Sequence, residues 1–200
     1  MVTSTRDRIL DAAMELFGRQ GFKATSIVQI EQAAGLAEGS GGIYYHFRTK
    51  QALLEAGIDR HLGRLRALRD IQAILVDLGD LRAELTVLGR YALAELDSET
   101  HLLRVILAEA RTRPELVETA VEQLVDATYS GFATWLHTRG QLSQQRANEI
   151  AAVGLGALIS ARLIRLLLGR DPITVPDEAF IATWVHMLYD QISPPGRTPP

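Results

Sequence analysis

Helical periodicity runs through almost the whole chain, and it constrains the fold more than any other feature. Apolar residues recur three and four positions apart in successive segments, and no alternating strand of convincing length interrupts them. Glycine, proline and small polar residues separate these segments where helices usually begin and end. The composition, with 47% hydrophobic and 22% charged residues, is that of a soluble globular chain. The sequence therefore predicts an all-α protein.

The first 50 residues form a small predicted head of three helices. The first two are expected at residues 5–20 and 25–34, and the third ends near Phe47. Thr49 is expected to cap a long fourth helix, because a threonine at this position can accept a hydrogen bond from the first helical turn. The fourth helix leads out of the head.

The rest of the chain, residues 51–193, forms a larger predicted helical body. Its further helices are expected at about residues 81–96, 99–112, 114–140, 143–169 and 177–193. Residues 194–200, PPGRTPP, offer nothing to a core and are expected to be disordered.

Sequence patterns typical of enzymes are missing. The five histidines include no pair spaced three to five residues apart, as a metal-binding face of a helix requires. The cluster of Gly39, Gly41 and Gly42 follows no predicted strand, so it does not match a phosphate-binding nucleotide loop. No GxSxG elbow or kinase motif occurs, and the chain has no cysteine. We therefore expect no catalytic activity, no metal and no cofactor.

The chain shows no targeting segment that would take it out of the cytoplasm. Arg6, Asp7 and Arg8 precede the first apolar run, so no signal peptide is predicted. The most apolar later stretch, residues 151–168, carries two arginines and is interpreted as a buried helix rather than a membrane span. A cytoplasmic protein without a membrane partner is expected.

Charge gives only weak support to a nucleic-acid partner. The formal net charge is −3, and the first 50 residues contain six Lys and Arg against five Asp and Glu. The remaining residues contain fifteen against nineteen. Any affinity for DNA must therefore come from placed contacts more than from a broad basic field.

Spaced motifs between residues 8 and 50 resemble the tetracycline-repressor (TetR) family of bacterial one-component regulators. The first part of the pattern consists of Arg8, Ile9, Leu10, Ala12, Ala13, Leu16, Phe17, Gly21, Thr25 and Ser26. It continues with the turn Ala34-Gly35 and closes with YYHF at residues 44–47 and Lys50. The remaining 150 residues match this family only in helix layout. The resemblance implies a helix-turn-helix DNA-binding head on a body that binds a ligand and dimerises.

One departure from the family pattern lies in the middle of the motif. Family members usually have one residue between the small polar position, here Ser40, and the first tyrosine, whereas this chain has Gly41, Gly42 and Ile43. Each glycine costs a helix about 0.8–1 kcal/mol relative to alanine. We expect the recognition helix to begin late or to have an irregular first turn.

The resemblance implies a set of DNA-binding residues around this helix. In a helix-turn-helix the start of the second helix lies near base edges. That position is held here by Glu38, Gly39, Ser40, Gly41 and Gly42. Phosphate contacts are expected from Thr25, Ser26, Tyr44, Tyr45, His46 and Lys50.

Structural alternatives stay open for several of these residues. Glu38 also suits a helix start by its charge alone. Plain capping by Thr25 and a solvated charge at Lys50 are the alternatives for these two residues, and the family resemblance favours contact with the DNA backbone. One of the two consecutive tyrosines is expected in the core, because neighbouring helix positions do not share a face.

Two further sets of candidate residues lie in the body. Aromatic and amphipathic side chains suit a small-molecule pocket between helices, with ordinary core packing as the alternative for each of them. They are Tyr91, His101, Tyr129, Phe132 and Trp135. A small-residue face and an aromatic stripe on the last two helices suit a dimer contact, with packing inside one body as the alternative. They are Gly154, Ala157, Ala161, Phe180, Trp184 and Met187.

The sequence thus predicts a homodimeric regulator, a repressor that binds an inverted repeat of double-stranded DNA and is released by an unidentified small molecule. The alternative is a helical adaptor that binds protein and not DNA, which the weak positive charge of the head favours.

Overall fold

The computed structural model describes residues 4–37, 39, 41–60, 63, 79–98, 100–111, 114–171 and 174–193, and within these ranges the protein is helical without any strand. The all-α prediction is confirmed. The helices are α1 Thr5–Gln20, α2 Ile27–Ala33, α3 Gly42–His46, α4 at residues 50–60, α5 Leu81–Ser98, α6 Thr100–Glu109, α7 Glu118–Val125, α8 Gly131–Gly140, α9 Gln144–Leu168 and α10 Asp177–Ile192. The disorder predicted for residues 194–200 concerns residues outside the described ranges.

Side-chain caps begin the helices at the positions that the sequence predicts. Ser4 accepts a hydrogen bond from the Asp7 amide at 3.1 Å, and Ser143 does the same for Arg146 at 3.2 Å. Thr49 Oγ1 accepts from the Ala52 amide at 3.0 Å at the start of α4.

Two local expectations are wrong. The helical period of residues 25–34 predicts that Ile27, Ile30 and Ala33 face inward, but Ala33 is exposed and the following Ala34 is buried. The single helix expected from Pro114 to Gly140 is instead divided: a 3-10 turn at Pro114–Leu116, α7, a π turn at Asp126–Ser130, and α8.

The chain divides into two compact units, which are described separately. The first unit consists of Met1–Arg64 with Glu99–Gln123, so it joins the predicted head to α6. The core side chains of its helices include Phe17, Ile30 and Leu54, all fully buried. Helix α6 packs closely on α1 at Gly18, where a Cβ atom would lie 2.9 Å from the main-chain oxygen of His101. The functional boundary predicted at residue 50 stays a prediction.

The second unit consists of Leu65–Ser98 with Leu124–Pro200. Its apolar core includes Leu85, Leu136 and Leu158. Glu84 is buried in this core, and its carboxylate accepts a bidentate contact from the Arg139 guanidinium. Arg139 Nε donates to Oε2 and Nη2 donates to Oε1, each at 3.0 Å.

Helix α9 is a core helix of the second unit. By length and composition alone this helix is apolar enough to cross a membrane. Core helices of soluble proteins can have the same length and composition. Ile150, Leu155 and Leu158 of this helix are buried against the core. Arg162 is also buried and contacts Asp177 at 2.6 Å and Asp97 at 2.8 Å, and its guanidinium holds the pKa of the Asp177 carboxyl below the usual value.

Candidate nucleic-acid interface

Helix α3 presents two tyrosines to solvent because the residues on either side of them are anchored in the core. Ile43 is fully buried and Phe47 is 4% exposed, whereas Tyr44 is 55% and Tyr45 89% exposed. The expectation that one tyrosine belongs to the core is therefore wrong. The core positions on this segment are taken by Ile43 and Phe47, and the guanidinium of Arg6 lies 5.0 Å from the Phe47 ring.

The third polar member of the exposed face is His46, which is half-buried. Its ring meets that of Tyr45 edge-on, with 5.0 Å between the ring centroids. The phenol of Tyr45 extends further into solvent than either neighbour. Tyrosine hydroxyls can donate to phosphate oxygens, which are the commonest polar targets of proteins on DNA.

A glycine-rich turn leads from α2 into α3. Gly35, Gly39 and Gly41 have φ angles of 70°, 64° and 70°, in the left-handed region that glycine adopts without strain. Helix α3 begins only at Gly42, in agreement with the late start expected from the departure in the motif. Glu38 and Ser40, both predicted to read bases, lie outside the described residues.

Glu31 on α2 is a member of this region that sequence reasoning missed. Its side chain is 1% exposed, and Oε2 accepts a hydrogen bond from the Gly39 amide at 2.8 Å. An acidic residue within a short amphipathic helix is usually solvated, so the sequence gives no signal that this one turns inward.

Thr25 and Lys50 hold the loop between α1 and α2. The Thr25 hydroxyl, 2% exposed, donates to the Gly21 carbonyl at 2.8 Å. The Lys50 ammonium donates to the carbonyls of Phe22 and Thr25 at 2.7 and 2.8 Å and lies 4.5 Å from the Phe22 ring centroid. The phosphate contacts predicted for both residues stay predictions, and each side chain has a structural role inside the head.

The other side of the same loop is held by α6. Glu109, 5% exposed, accepts a hydrogen bond from the Phe22 amide at 3.0 Å through Oε1. The amide of Phe22 is thus bound to α6 and its carbonyl to Lys50 of α4. Sequence reasoning missed Glu109, because its partner lies 87 residues away and no local pattern connects them.

Residues 9–56 match the family model described as bacterial regulatory proteins, tetR family. The curated helix-turn-helix transcriptional regulator YvkB of Bacillus subtilis (strain 168) is 25% identical over 179 residues, which cover 88% of this chain and 91% of that protein. Residues 9–56 therefore form a TetR-family DNA-binding head. Like its relatives this chain is a DNA-binding transcriptional regulator, and the family is not an enzyme family.

Some other relatives are similar to the head alone, and others have the same fold over nearly the whole chain. The regulator AcrR of Shigella flexneri is 47% identical over 49 residues, only 24% of this chain and 22% of that protein. A TetR transcriptional regulator from Legionella pneumophila has a TM-score of 0.73 at 18% identity, covering 96% of this chain and 99% of that one. The fatty acid degradation regulator FadR from Bacillus halodurans has a TM-score of 0.69 at 17% identity, covering 99% and 100%. At these identities the structures show the shared TetR-family fold.

Several charged side chains of the head are paired or buried, and others are exposed without an ion pair. Two acidic side chains are paired with arginines: Asp11 with Arg60 at 2.7 Å, and Glu15 with Arg19 at 3.3 Å. Glu31 is buried. The exposed side chains of Arg6, Lys23 and Arg48 take part in no ion pair among the residues that the structure describes.

The residues predicted to line a ligand pocket fall in two units. Phe132 is 6% exposed and stacks between Trp135 at 5.8 Å and Trp184 at 6.2 Å, measured between ring centroids. Tyr129 packs half-buried against the same core of the second unit, where Tyr91 also lies, whereas His101 belongs to the first unit. Their ligand-binding role stays a prediction.

The residues predicted for a dimer contact separate into an inner and an outer set. Gly154 faces Leu188 of α10, and its carbonyl accepts a hydrogen bond from the Trp184 indole at 2.8 Å, so both residues pack inside one protomer. Phe180 and Ala161 are half-buried. Only Ala157 and Met187 of the set are exposed.

The outer side of α9 is apolar along much of its length. Val153 is 66% and Leu167 63% exposed, and the space outside Gly156 is open within 4 Å. Gly156 and Ala157 lie three and four positions after Val153, and Leu167 lies three positions after Ile164, so these residues share one helical face. We call the exposed residues Val153, Ala157, Leu167 and Met187, together with the half-buried Gly156, the outer α9–α10 face.

The loop contacts generate a prediction for Lys50. The variant Lys50→Met keeps the apolar stem but leaves two carbonyls without their donor, so we expect the free energy of unfolding to fall by about 1–3 kcal/mol. Urea denaturation of the full chain measures this loss.

Lys23→Met is the matched control, since Lys23 is an exposed lysine of the same loop, and it should change the unfolding free energy by less than about 0.5 kcal/mol. Equal denaturation midpoints for wild type and Lys50→Met would show that Lys50 does not hold the loop.

Proposed function

We propose that this TetR-family chain is a repressor that binds an inverted repeat of double-stranded DNA as a homodimer and is released by a small molecule in the cytoplasm. The observation that carries the proposal is the exposed pair Tyr44 and Tyr45 on a helix that is fixed in the head core by Ile43 and Phe47. Large aromatic side chains this exposed, on an anchored helix, favour a surface built for contact.

The proposed contacts follow the chemistry of this surface. Helix α3 enters the major groove, and the hydroxyls of Tyr44 and Tyr45 donate to phosphates on its edges. Gly39 and Gly41 carry no side chain to prevent a close approach of the turn to the bases. Arg48, exposed directly after Phe47, adds a phosphate contact that the sequence motif does not name.

Dimerisation is proposed to occur through the outer α9–α10 face. A second copy of this chain fits this face, because a contact between two copies related by a two-fold axis needs a self-complementary surface, and an apolar stripe with small residues supplies one. Two heads held in this way can reach successive major grooves, about 34–36 Å apart, and so read an inverted repeat.

Release is proposed to depend on a ligand that binds one of two arrangements of the chain more tightly than the other. The contact between Glu109 and the Phe22 amide supports this step, because it connects α6 to the loop that precedes the DNA-binding helices. The candidate pocket residues of the second unit are Tyr91, Tyr129, Phe132 and Trp135.

Selection from a pool of random DNA duplexes tests the proposed function. We expect the full chain to enrich a palindromic sequence with two half-sites. A selection that enriches no sequence would contradict DNA recognition and support the protein-binding adaptor.

The first prediction concerns the contribution of Tyr45 to the affinity for DNA. Tyr45→Phe removes one hydroxyl donor, and we expect a loss of about tenfold or more in affinity for the enriched duplex, since hydrogen bonds to charged groups are worth about 1.5–3 kcal/mol. The loss should be similar for altered duplexes, because phosphate contacts carry no sequence information. Fluorescence anisotropy at fixed salt measures it.

Tyr189→Phe provides the same chemical change in the second unit, outside the candidate pocket residues, and should leave DNA affinity unchanged. If Tyr45→Phe binds as tightly as wild type, the phenol does not contact the phosphate backbone.

Val153 generates a prediction for the dimer. Val153→Glu places a charge on the outer α9–α10 face, so we expect the dimer dissociation constant to rise by at least about tenfold, because an unpaired buried charge costs more than the 1.4 kcal/mol that this factor represents. Sedimentation analysis across a concentration series measures the dissociation constant.

Val87→Glu is the matched control, because Val87 is a 41% exposed valine on α5. A dimer that tolerates glutamate at Val153 as well as at Val87 would place the contact elsewhere.

A further inference from the structure

Glu31 holds the turn before α3 from inside the head. Its side chain is 1% exposed, and Oε2 accepts the Gly39 amide at 2.8 Å. Its main-chain carbonyl accepts the Leu36 amide at 2.9 Å. One residue of α2 therefore binds the turn at two points, one near its beginning and one near its end.

The carboxylate of Glu31 is poorly explained by stability alone. Its second oxygen, Oε1, is also buried and has no hydrogen-bond partner in the described part of the chain. A buried carboxylate with an unsatisfied oxygen is costly, and an apolar side chain of similar size would remove that cost. Such a group is a candidate for a role in positioning.

The turn needs a stabilising contact because its glycines restrict the backbone conformation less than other residues would. Gly39 and Gly41 both adopt positive φ angles, of 64° and 70°. A Cβ atom at Gly39 would meet nothing within 4 Å, so packing does not fix this residue. Each glycine also gives the chain more conformations to choose from than any other residue does. The hydrogen bond from the Gly39 amide to Glu31 therefore ties this part of the turn to α2.

We propose that Glu31 is a positioning residue for sequence recognition: its carboxylate fixes the Gly39 amide and so aims Gly39 and Gly41 at the base edges. This inference rests on the proposed function. Glu31 itself does not touch the bases. It sets which bases the turn can reach, and its loss affects discrimination between sequences more than the general affinity for DNA.

Two substitutions separate positioning from stability. Glu31→Gln keeps the length of the side chain and an oxygen that accepts from Gly39. Glu31→Leu keeps a similar volume but loses the acceptor, and because it removes a half-satisfied buried carboxylate it should unfold at the same or a higher urea concentration. The full chain is used for both variants.

The measured quantity is the ratio of dissociation constants for the enriched duplex and for a duplex with altered half-site bases. We expect Glu31→Leu to reduce this ratio by about tenfold, the scale of one lost base contact, and Glu31→Gln to stay within about threefold of wild type. An unchanged ratio in Glu31→Leu, or an equal loss in both variants, overturns the inference while leaving the proposed function intact. If wild type enriches no duplex, the proposed function and this inference fall together.

Amide hydrogen exchange keeps the inference testable even if Glu31→Leu does not fold. In the wild type and in Glu31→Gln, the Gly39 amide should be protected from exchange relative to an unfolded peptide. Exchange of this amide at the unfolded rate would show that Glu31 does not fix the turn and would overturn the inference.

Discussion

The exposed tyrosine surface of α3, proposed here to contact DNA, depends on the burial of Ile43 and Phe47. Helix α3 has five residues, too few for its own hydrogen bonds to make it stable in water. Burying an isoleucine or a phenylalanine contributes roughly 1.5–3 kcal/mol each, so these two side chains outweigh the intrinsic preference of so short a helix to unfold. The exposure of Tyr44 and Tyr45 is the geometric consequence, because they lie between the two anchors.

The same head is held at a second point by polar contacts that come from distant parts of the chain. Glu109 of α6 binds the Phe22 amide, and Lys50 of α4 binds the Phe22 carbonyl. The loop before the helix-turn-helix is therefore fixed by both helices that link the head to the rest of its unit. A movement of α6 would act on this loop through the contact between Glu109 and Phe22. For this reason the proposed ligand-induced release is assigned to this contact.

Patterns within single helices predict much of the fold. The features that the sequence does not predict depend on contacts between residues that are far apart in the chain. The all-α class and the caps at Ser4, Ser26 and Thr49 follow from periodicity and from residue types at helix starts. The inward direction of Glu31 and the partner of Glu109 do not, since each depends on a residue beyond its own helix. The sequence predicts Gly154 and Trp184 at a dimer contact, with packing inside one body as the alternative, but their hydrogen bond to one another depends on how α9 and α10 pack.

Hydroxyl-radical footprinting of the enriched duplex shows how many recognition helices reach the DNA and how they are spaced. For a homodimer we expect two equivalent protected patches on one side of the duplex, about one helical turn apart and related by the two-fold symmetry of the sequence. A single protected patch, or two patches without that symmetry, would contradict a homodimer that places the Tyr44–Tyr45 surface of each copy in successive major grooves.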